Sequence, residues 1–146
     1  GMVKEGKVTS LDLIDECEAR WKATEKFINA TPIPCFDLAR YKAAELLKSE
    51  NFRKNIESSN SGGYLFGLPV VVKDTLAVEG VRFTEGSQVY RDRIASYSDP
   101  VVEVLERNGA IVIGKSNTSE FAAGSNTFNN VFGTTYNPFQ TAKTAG

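Results

Sequence analysis

No histidine occurs among the 146 residues, which removes Ser-His-Asp and Cys-His nucleophile chemistry and most zinc sites at once. Any proton transfer made here falls to Lys, Asp, Glu, Tyr or Cys. Lys73 is the first candidate. It closes the run Pro69-Val70-Val71-Val72, so its side chain leaves an apolar, β-branched neighbourhood. Burial disfavours the charged form of an amine. Taking a lysine from about 10.4 to the 7–8 that suits a base requires roughly 3–5 kcal/mol of differential solvation. Strand alternation sends Asp74 to the opposite face, so it need not neutralise Lys73. A strand-end lysine snorkelling to water accounts for the same residues.

Lys115 belongs to a second pattern. Gly109-Ala110-Ile111-Val112-Ile113-Gly114-Lys115-Ser116 matches G-x-x-x-x-G-K-[ST], the phosphate-binding loop. That loop needs a strand before its first glycine and an open turn between the two. Here a helical pattern precedes Gly109, and the middle residues read as an apolar strand whose N–H groups are paired. Nucleotide binding is therefore not expected. Cys17 and Cys35 form no C-x-x-C and read as reduced thiols. Asn29-Ala30-Thr31 and Asn117-Thr118-Ser119 match the glycosylation sequon and read as chance matches.

The elements that must position these residues follow from periodicity and punctuation. Thr9 or Ser10 caps a first helix with the stripe Leu11, Ile14, Cys17, Trp21 and Ile28, ended by Pro32 and Pro34. A second helix is expected from about Asp37 to Ser49, with Leu38, Tyr41, Ala44 and Leu47 as its stripe, packed on the first as a hairpin. Arg53 to Gly63 reads as a polar loop. Pro69–Lys73 and Ala110–Ile113 read as buried strands. Between them Asp99–Asn108 reads as a helix, with Pro100 at its first position and Gly109 past its end. Asn117-Thr118-Ser119-Glu120 has capping-box spacing. The Gly-, Asn- and Thr-rich stretch from Gly124 onward is too long for a simple connection and is expected to pack, with Phe128, Phe132, Tyr136 and Phe139 as anchors.

Composition sets the outer bounds. Net charge is −1, from 17 basic and 18 acidic residues, so no nucleic acid or anionic membrane is implied as a partner. No apolar run reaches transmembrane length and no secretory signal is visible, which gives a cytoplasmic reading. The fold class expected is α/β. Residues 2–60 form a helical lead-in, and residues 61–146 form the first part of a mixed β-sheet with covering helices.

Several segments in one order resemble the amidase signature family. They are Gly67-Leu68-Pro69-Val70-Val71-Val72-Lys73-Asp74, Thr84-Glu85-Gly86-Ser87, Ser116-Asn117-Thr118-Ser119-Glu120-Phe121-Ala122, Gly124-Ser125 and Gly133-Thr134-Thr135-Tyr136-Asn137-Pro138-Phe139. The resemblance implies hydrolysis of carboxamide C–N bonds by a serine–cis-serine–lysine mechanism. Lys73 is the base, a small-molecule amide is the substrate, and no cofactor or metal is needed. It also implies that Ala122, Ala123 and Gly124 line the acyl-binding cleft, where close helix packing is the equal alternative reading. Ser87 and Asn117 are expected to be structural. The family's glycine/serine-rich stretch would begin at about Gly146. Both catalytic serines are thus expected downstream, and Ser116, Ser119 and Ser125 are not at matching positions. Glu85 stands where a small residue is expected. The chain alone is therefore expected to be an inactive fragment that self-associates through uncovered sheet. The alternatives are a non-catalytic binding or assembly module and an amidotransferase A-type subunit.

Overall fold

The computed structural model describes residues 2–58 and 62–145. Helix α1 (Ser10–Ile28) begins at a reciprocal capping box: Asp12 N–H donates to Thr9 Oγ1 at 3.1 Å, and Thr9 N–H donates to the Asp12 carboxylate at 2.8 Å. It stops at Asn29, whose φ of 53° turns the chain before either proline is reached. Helix α2 (Phe36–Lys48) lies close to the expected position, but its buried face is Phe36, Ala39 and Ala43, with Leu46 beside them. Tyr41 and Leu47, expected in the stripe, face solvent. Two alanines let α2 approach closely, and that small-residue face outweighs the larger but more scattered side chains.

The stretch expected to be a loop from Arg53 is partly helical. Ser49 caps α3 (Glu50–Glu57), accepting Phe52 N–H at 3.1 Å. Phe52 anchors it by edge-to-face contacts with Tyr64 and Phe66. Residues 59–61, within that expected loop, lie outside the described residues.

Three strands form the central sheet in the order β1-β3-β2, from β1 (Ile33–Pro34), β2 (Pro69–Lys73) and β3 (Ile111–Ser116). β2 and β3 are parallel and joined through α4 (Pro100–Arg107), a β-α-β crossover. β1 is antiparallel to β3. α1 and α2 cover one face, where Ile14, Phe36, Ala39 and Ala43 meet Ile111 and Ile113. The chain between β2 and α4, with α4 itself, covers the other, where Val72, Val78, Val81, Val102 and Val112 meet Ile33. Central β3 is buried almost throughout, as expected; edge strand β2 buries only Val72.

Beyond β3 the chain makes a 3-10 turn at Glu120–Ala122 and two small hairpins. These are β4 (Phe128–Asn129) with β5 (Gly133–Thr134), and β6 (Tyr136–Asn137) with β7 (Gln140–Thr144). Phe132 packs on the core as expected, but Phe128 and Tyr136 are exposed and Phe139 is 98% exposed. What fixes this region is polar: Asn129, 2% exposed, takes the anchoring role assigned to the aromatics. Among the described residues no helix is long and apolar enough to cross a membrane.

Candidate active site

Lys73 is the last residue of β2, paired in register with Ser116 at the end of β3. The neighbouring backbone is held on all sides. Leu76 N–H donates to Lys73 O at 3.0 Å, Asp74 N–H to Ser116 O at 3.0 Å, and Glu85 N–H to Asp74 O at 3.1 Å. The Lys73 side chain is exposed, on the same side of β2 as Val71, which is itself 45% exposed. The apolar burial expected around Lys73 is thus absent, because period two puts Val72 inward and Val71 and Lys73 on the less covered face. Among the described residues the Lys73 ammonium makes no ion pair or side-chain hydrogen bond.

Asp74 does go to the opposite face, and there it is fully buried. Its carboxylate takes Lys115 Nζ at 2.7 Å, Thr84 N–H at 3.2 Å and Thr84 Oγ1 at 2.5 Å. Lys115 is fully buried too, with Nζ 4.4 Å from the Phe83 ring centroid. Burial pushes the Lys115 amine below the ordinary lysine value, and the hydrogen bond and charge of Asp74 oppose that shift. Lys115 is therefore a sealed ion-pair partner, and the phosphate-loop pattern is a paired strand, as its apolar middle implied.

Sequence periodicity misplaces Lys115. Alternation from Ile111 and Ile113 would put it on their face. Instead the β2–β3 register slips between Val70 and Val71, so that Val70 opposes Val112 while Val71 opposes Gly114. Ile113 is the extra residue of a bulge. Lys115 then aligns with Val72, on the side of Val112 three positions earlier. The signal was Gly114, since a glycine inside a strand marks a bulge or a close approach. A Cβ there would lie 2.7 Å from Thr31 Cγ2 and 3.0 Å from Ile33 O.

Ala122, Ala123 and Gly124 are exposed, on the loop that leaves β3 at the end of the sheet where Lys73 lies. Phe121 N–H donates to Glu85 O at 2.8 Å, so hydrogen bonds lead from Asp74 through Glu85 to this loop. Phe121 and Ala122 both have left-handed backbones, with φ of 51° and 57°, a conformation that costs non-glycine residues roughly 1–2 kcal/mol each. The exposed loop does not show the close helix packing weighed for the three small residues. A groove of about 470 Å³ lies elsewhere, between α1 and the sheet, lined by Cys17, Trp21, Phe36, Val71 and Ile113. It opens on the same side of β2 as Lys73.

Glu120 does not close a capping box with Asn117. Its carboxylate accepts the Ser87 hydroxyl at 2.7 Å, which fixes Ser87 structurally as expected. Asn117 Nδ2 donates to Gly133 O at 3.2 Å and Thr135 Oγ1 at 3.1 Å, while its Oδ1 accepts Asn129 Nδ2 at 2.7 Å. Asn29 Nδ2 donates to Phe132 O at 2.7 Å and Thr134 O at 3.1 Å. The amide nitrogens of both sequons are therefore occupied in holding the fold. The two cysteines are unpaired thiols, and burial pushes Cys35 up to about 11.

Comparison with known proteins bears on this arrangement. A family model described as Amidase matches residues 12–146. The A-type chain of glutamyl-tRNA(Gln) amidotransferase from Saccharolobus solfataricus is 34% identical over 143 residues, covering 96% of this chain and 30% of that protein. A solved structure described as an amidase superposes with a TM-score of 0.79 at 27% identity, over 99% of this chain and 32% of its own. 6-Aminohexanoate cyclic dimer hydrolase, solved with its substrate, gives a TM-score of 0.81 at 23% identity, over 98% of this chain and 27% of its own, a likeness of fold. The chain spans less than a third of each of these relatives.

Proposed function

The chain belongs to the amidase family, and from that premise we propose that it is a segment of a hydrolase cleaving carboxamide C–N bonds through a serine–cis-serine–lysine relay, with Lys73 as the proton acceptor. The observation that carries this reading is the end of β2. Lys73 projects from the end of a strand where backbone hydrogen bonds hold Lys73 and Asp74, and its ammonium has no counter-ion among the described residues. The adjacent carboxylate is turned away and neutralised. Such an amine is free to work on a hydroxyl brought to it. Withdrawal from water, once that face is covered, favours the neutral form a base requires.

In the relay, neutral Lys73 takes the proton of a serine in a cis peptide, and that serine takes the proton of the nucleophile. The nucleophile adds to the amide carbonyl, and backbone N–H groups hold the oxyanion. The amine or ammonia leaves with a proton, and water hydrolyses the acyl-enzyme to the acid. Ser116, Ser119 and Ser125 do not match the serine positions of the family motif, so both serines are assigned to residues outside these 146. Ala122, Ala123 and Gly124 are assigned to the acyl side of the cleft on the strength of their place at Lys73's end of the sheet. Residues 2–60 and 61–146 are assigned to one partial domain, a reading supported by the cluster that Ile14 and Phe36 share with Ile111 and Ile113. Two unpaired thiols support a reducing, cytoplasmic setting.

The test is turnover of an aryl amide by a full-length family protein carrying this segment. Lys73→Ala abolishes acylation there, a loss of about a thousandfold or more, while the 146-residue chain alone releases no amine. Full activity in Lys73→Ala would remove the base from its role. The 34% identity to an amidotransferase chain supports a second reading, a component that feeds ammonia to misacylated tRNA. Amide transfer to glutamyl-tRNA in the presence of the other amidotransferase chains distinguishes it. The isolated chain is also proposed to self-associate: among the described residues β2 pairs only with β3, which leaves its outer edge open beside Val71.

A further inference from the structure

We propose that the buried Lys115–Asp74 pair is a positioning device for Lys73, holding the adjacent carboxylate on the far side of the sheet and cancelling its charge so that Lys73 stands as an uncompensated amine. The inference deepens the reading of Lys73 as proton acceptor and rests on it. Three observations carry it. Asp74 is the next residue in the chain, and without a partner its carboxylate would be the nearest negative charge in sequence to Lys73. The pair is wholly out of water, both side chains having 0% exposure. Lastly, the carboxylate is saturated: Lys115 approaches Oδ1 at 2.7 Å, and Thr84 adds its N–H at 3.2 Å and its hydroxyl at 2.5 Å. Thr84 Oγ1 in turn accepts Gly86 N–H at 3.0 Å, so the hydroxyl is aimed.

A buried ion pair is weak support for stability, since desolvating two charges cancels most of their attraction, and apolar replacements are often as stable. Stability alone therefore does not explain an ion pair at this position. Its other contacts lock its direction. Lys115 Nζ also reaches Arg82 O at 3.4 Å and lies against the Phe83 ring. Arg93 and Asp99, the other charges acting on Lys115, oppose one another. Asp99 is occupied in accepting Ala77 N–H at 2.5 Å. The negative end of the pair thus faces β2 and has no other cation within ion-pair distance among the described residues.

The test reads the reactivity of Lys73 itself. The 146-residue chain and its variants are trace-labelled with a small N-acylating ester at fixed pH and low ionic strength. Acylation at Lys73 is quantified by peptide mass spectrometry against exposed Lys143. Lys115→Met leaves the carboxylate uncompensated and slows labelling of Lys73 by about two- to fivefold. That is the effect of one unit charge over roughly 9–10 Å at an effective dielectric constant of about 40–80. Asp74→Asn removes the charge that keeps the buried Lys115 amine protonated, so the site becomes neutral and labelling of Lys73 stays within about 1.5-fold of the parent. The double variant Asp74→Asn/Lys115→Met returns to within about 1.5-fold of the parent. A merely structural pair would shift all three variants the same way, as loosening exposes lysines alike, and that result or an unchanged rate in Lys115→Met overturns the proposal. Where a single variant does not fold, Thr84→Val carries the test. It removes the hydroxyl donor but keeps both charges, so labelling of Lys73 stays within about 1.5-fold of the parent, whereas a change of more than about twofold would show that packing and not charge sets the rate and overturns the proposal. Failure here leaves the base assignment to the Lys73→Ala turnover measurement, and failure of that measurement leaves these rates interpretable as electrostatics.

Discussion

Gly67→Ala is expected to be one of the most damaging single-methyl additions in the chain. Gly67 has a φ of 78°, where an alanine costs roughly 1–2 kcal/mol. The added Cβ would lie 1.8 Å from Ser10 Oγ and 2.7 Å from Ser10 Cβ. Rotating the Ser10 hydroxyl clears only the first contact and gives up its 3.4 Å bond to Phe66 O, worth about 1 kcal/mol or less. The second contact requires the start of α1 to move away from the chain entering β2. Together these give about 3–5 kcal/mol, a large part of the stability of an ordinary domain. For a chain of this length that lowers Tm by about 10–15 °C. The assay is urea and thermal unfolding followed by circular dichroism, run as a cycle with Ser10→Gly. Ser10→Gly alone costs about 1–2 kcal/mol through helix propensity and the lost hydrogen bond. Because it removes the obstructing side chain, the double variant should fall short of additivity by about 2 kcal/mol. Additivity within about 0.5 kcal/mol would show that the contact between Ser10 and Gly67 does not set the requirement for glycine.

The Cys35 thiol is pushed by burial from 9.0 up to about 11, so the folded state holds its proton where the unfolded chain has lost it. Its contribution is fully present below about pH 9 and is lost as pH rises toward 11. Relative to Cys35→Ala, the parent should lose about 2 kcal/mol between pH 8 and pH 10.5, read from urea midpoints; a difference that does not change with pH contradicts the burial argument. Sedimentation velocity of the isolated chain should show dimers or larger species that dissociate when Val71 is replaced by Lys on the open edge. A clean monomer at all concentrations would remove the edge of β2 from its proposed role.

Much of the scaffold was legible because its signals are local. The Thr9-Ser10 cap signal, the Asp99-Pro100 start of α4 and the apolar runs of β2 and β3 each state their element within a few residues. For Lys73 the residues alone left a buried base and a strand-end lysine reaching water both open, because the choice depends on which face of β2 other segments cover. The burial of Lys115 depends on a one-residue slip against a partner strand, and no periodicity within β3 encodes that slip. The stripe of α2 was misjudged because large side chains were weighted over Ala39 and Ala43, whose small size is what allows close packing. In the long Asn- and Thr-rich stretch, aromatic residues drew the anchoring role that Asn129 and Asn117 perform through hydrogen bonds.

The asparagine corner has a chemical lifetime as well as a structure. Asn129 donates to Asn117 Oδ1 and Thr118 O, both at 2.7 Å, and accepts from Val131 N–H and Phe132 N–H, both at 2.8 Å. Hydrolysis of that amide, which takes up water and releases ammonia, would leave a carboxylate with no protons to give, facing two oxygens it formerly bound. The corner would trade two attractions for two repulsions in a place almost closed to solvent, Asn129 being 2% exposed. Ageing of the molecule by a single hydrolytic event would thus register first in the loop that follows β3, well before the apolar layers felt it.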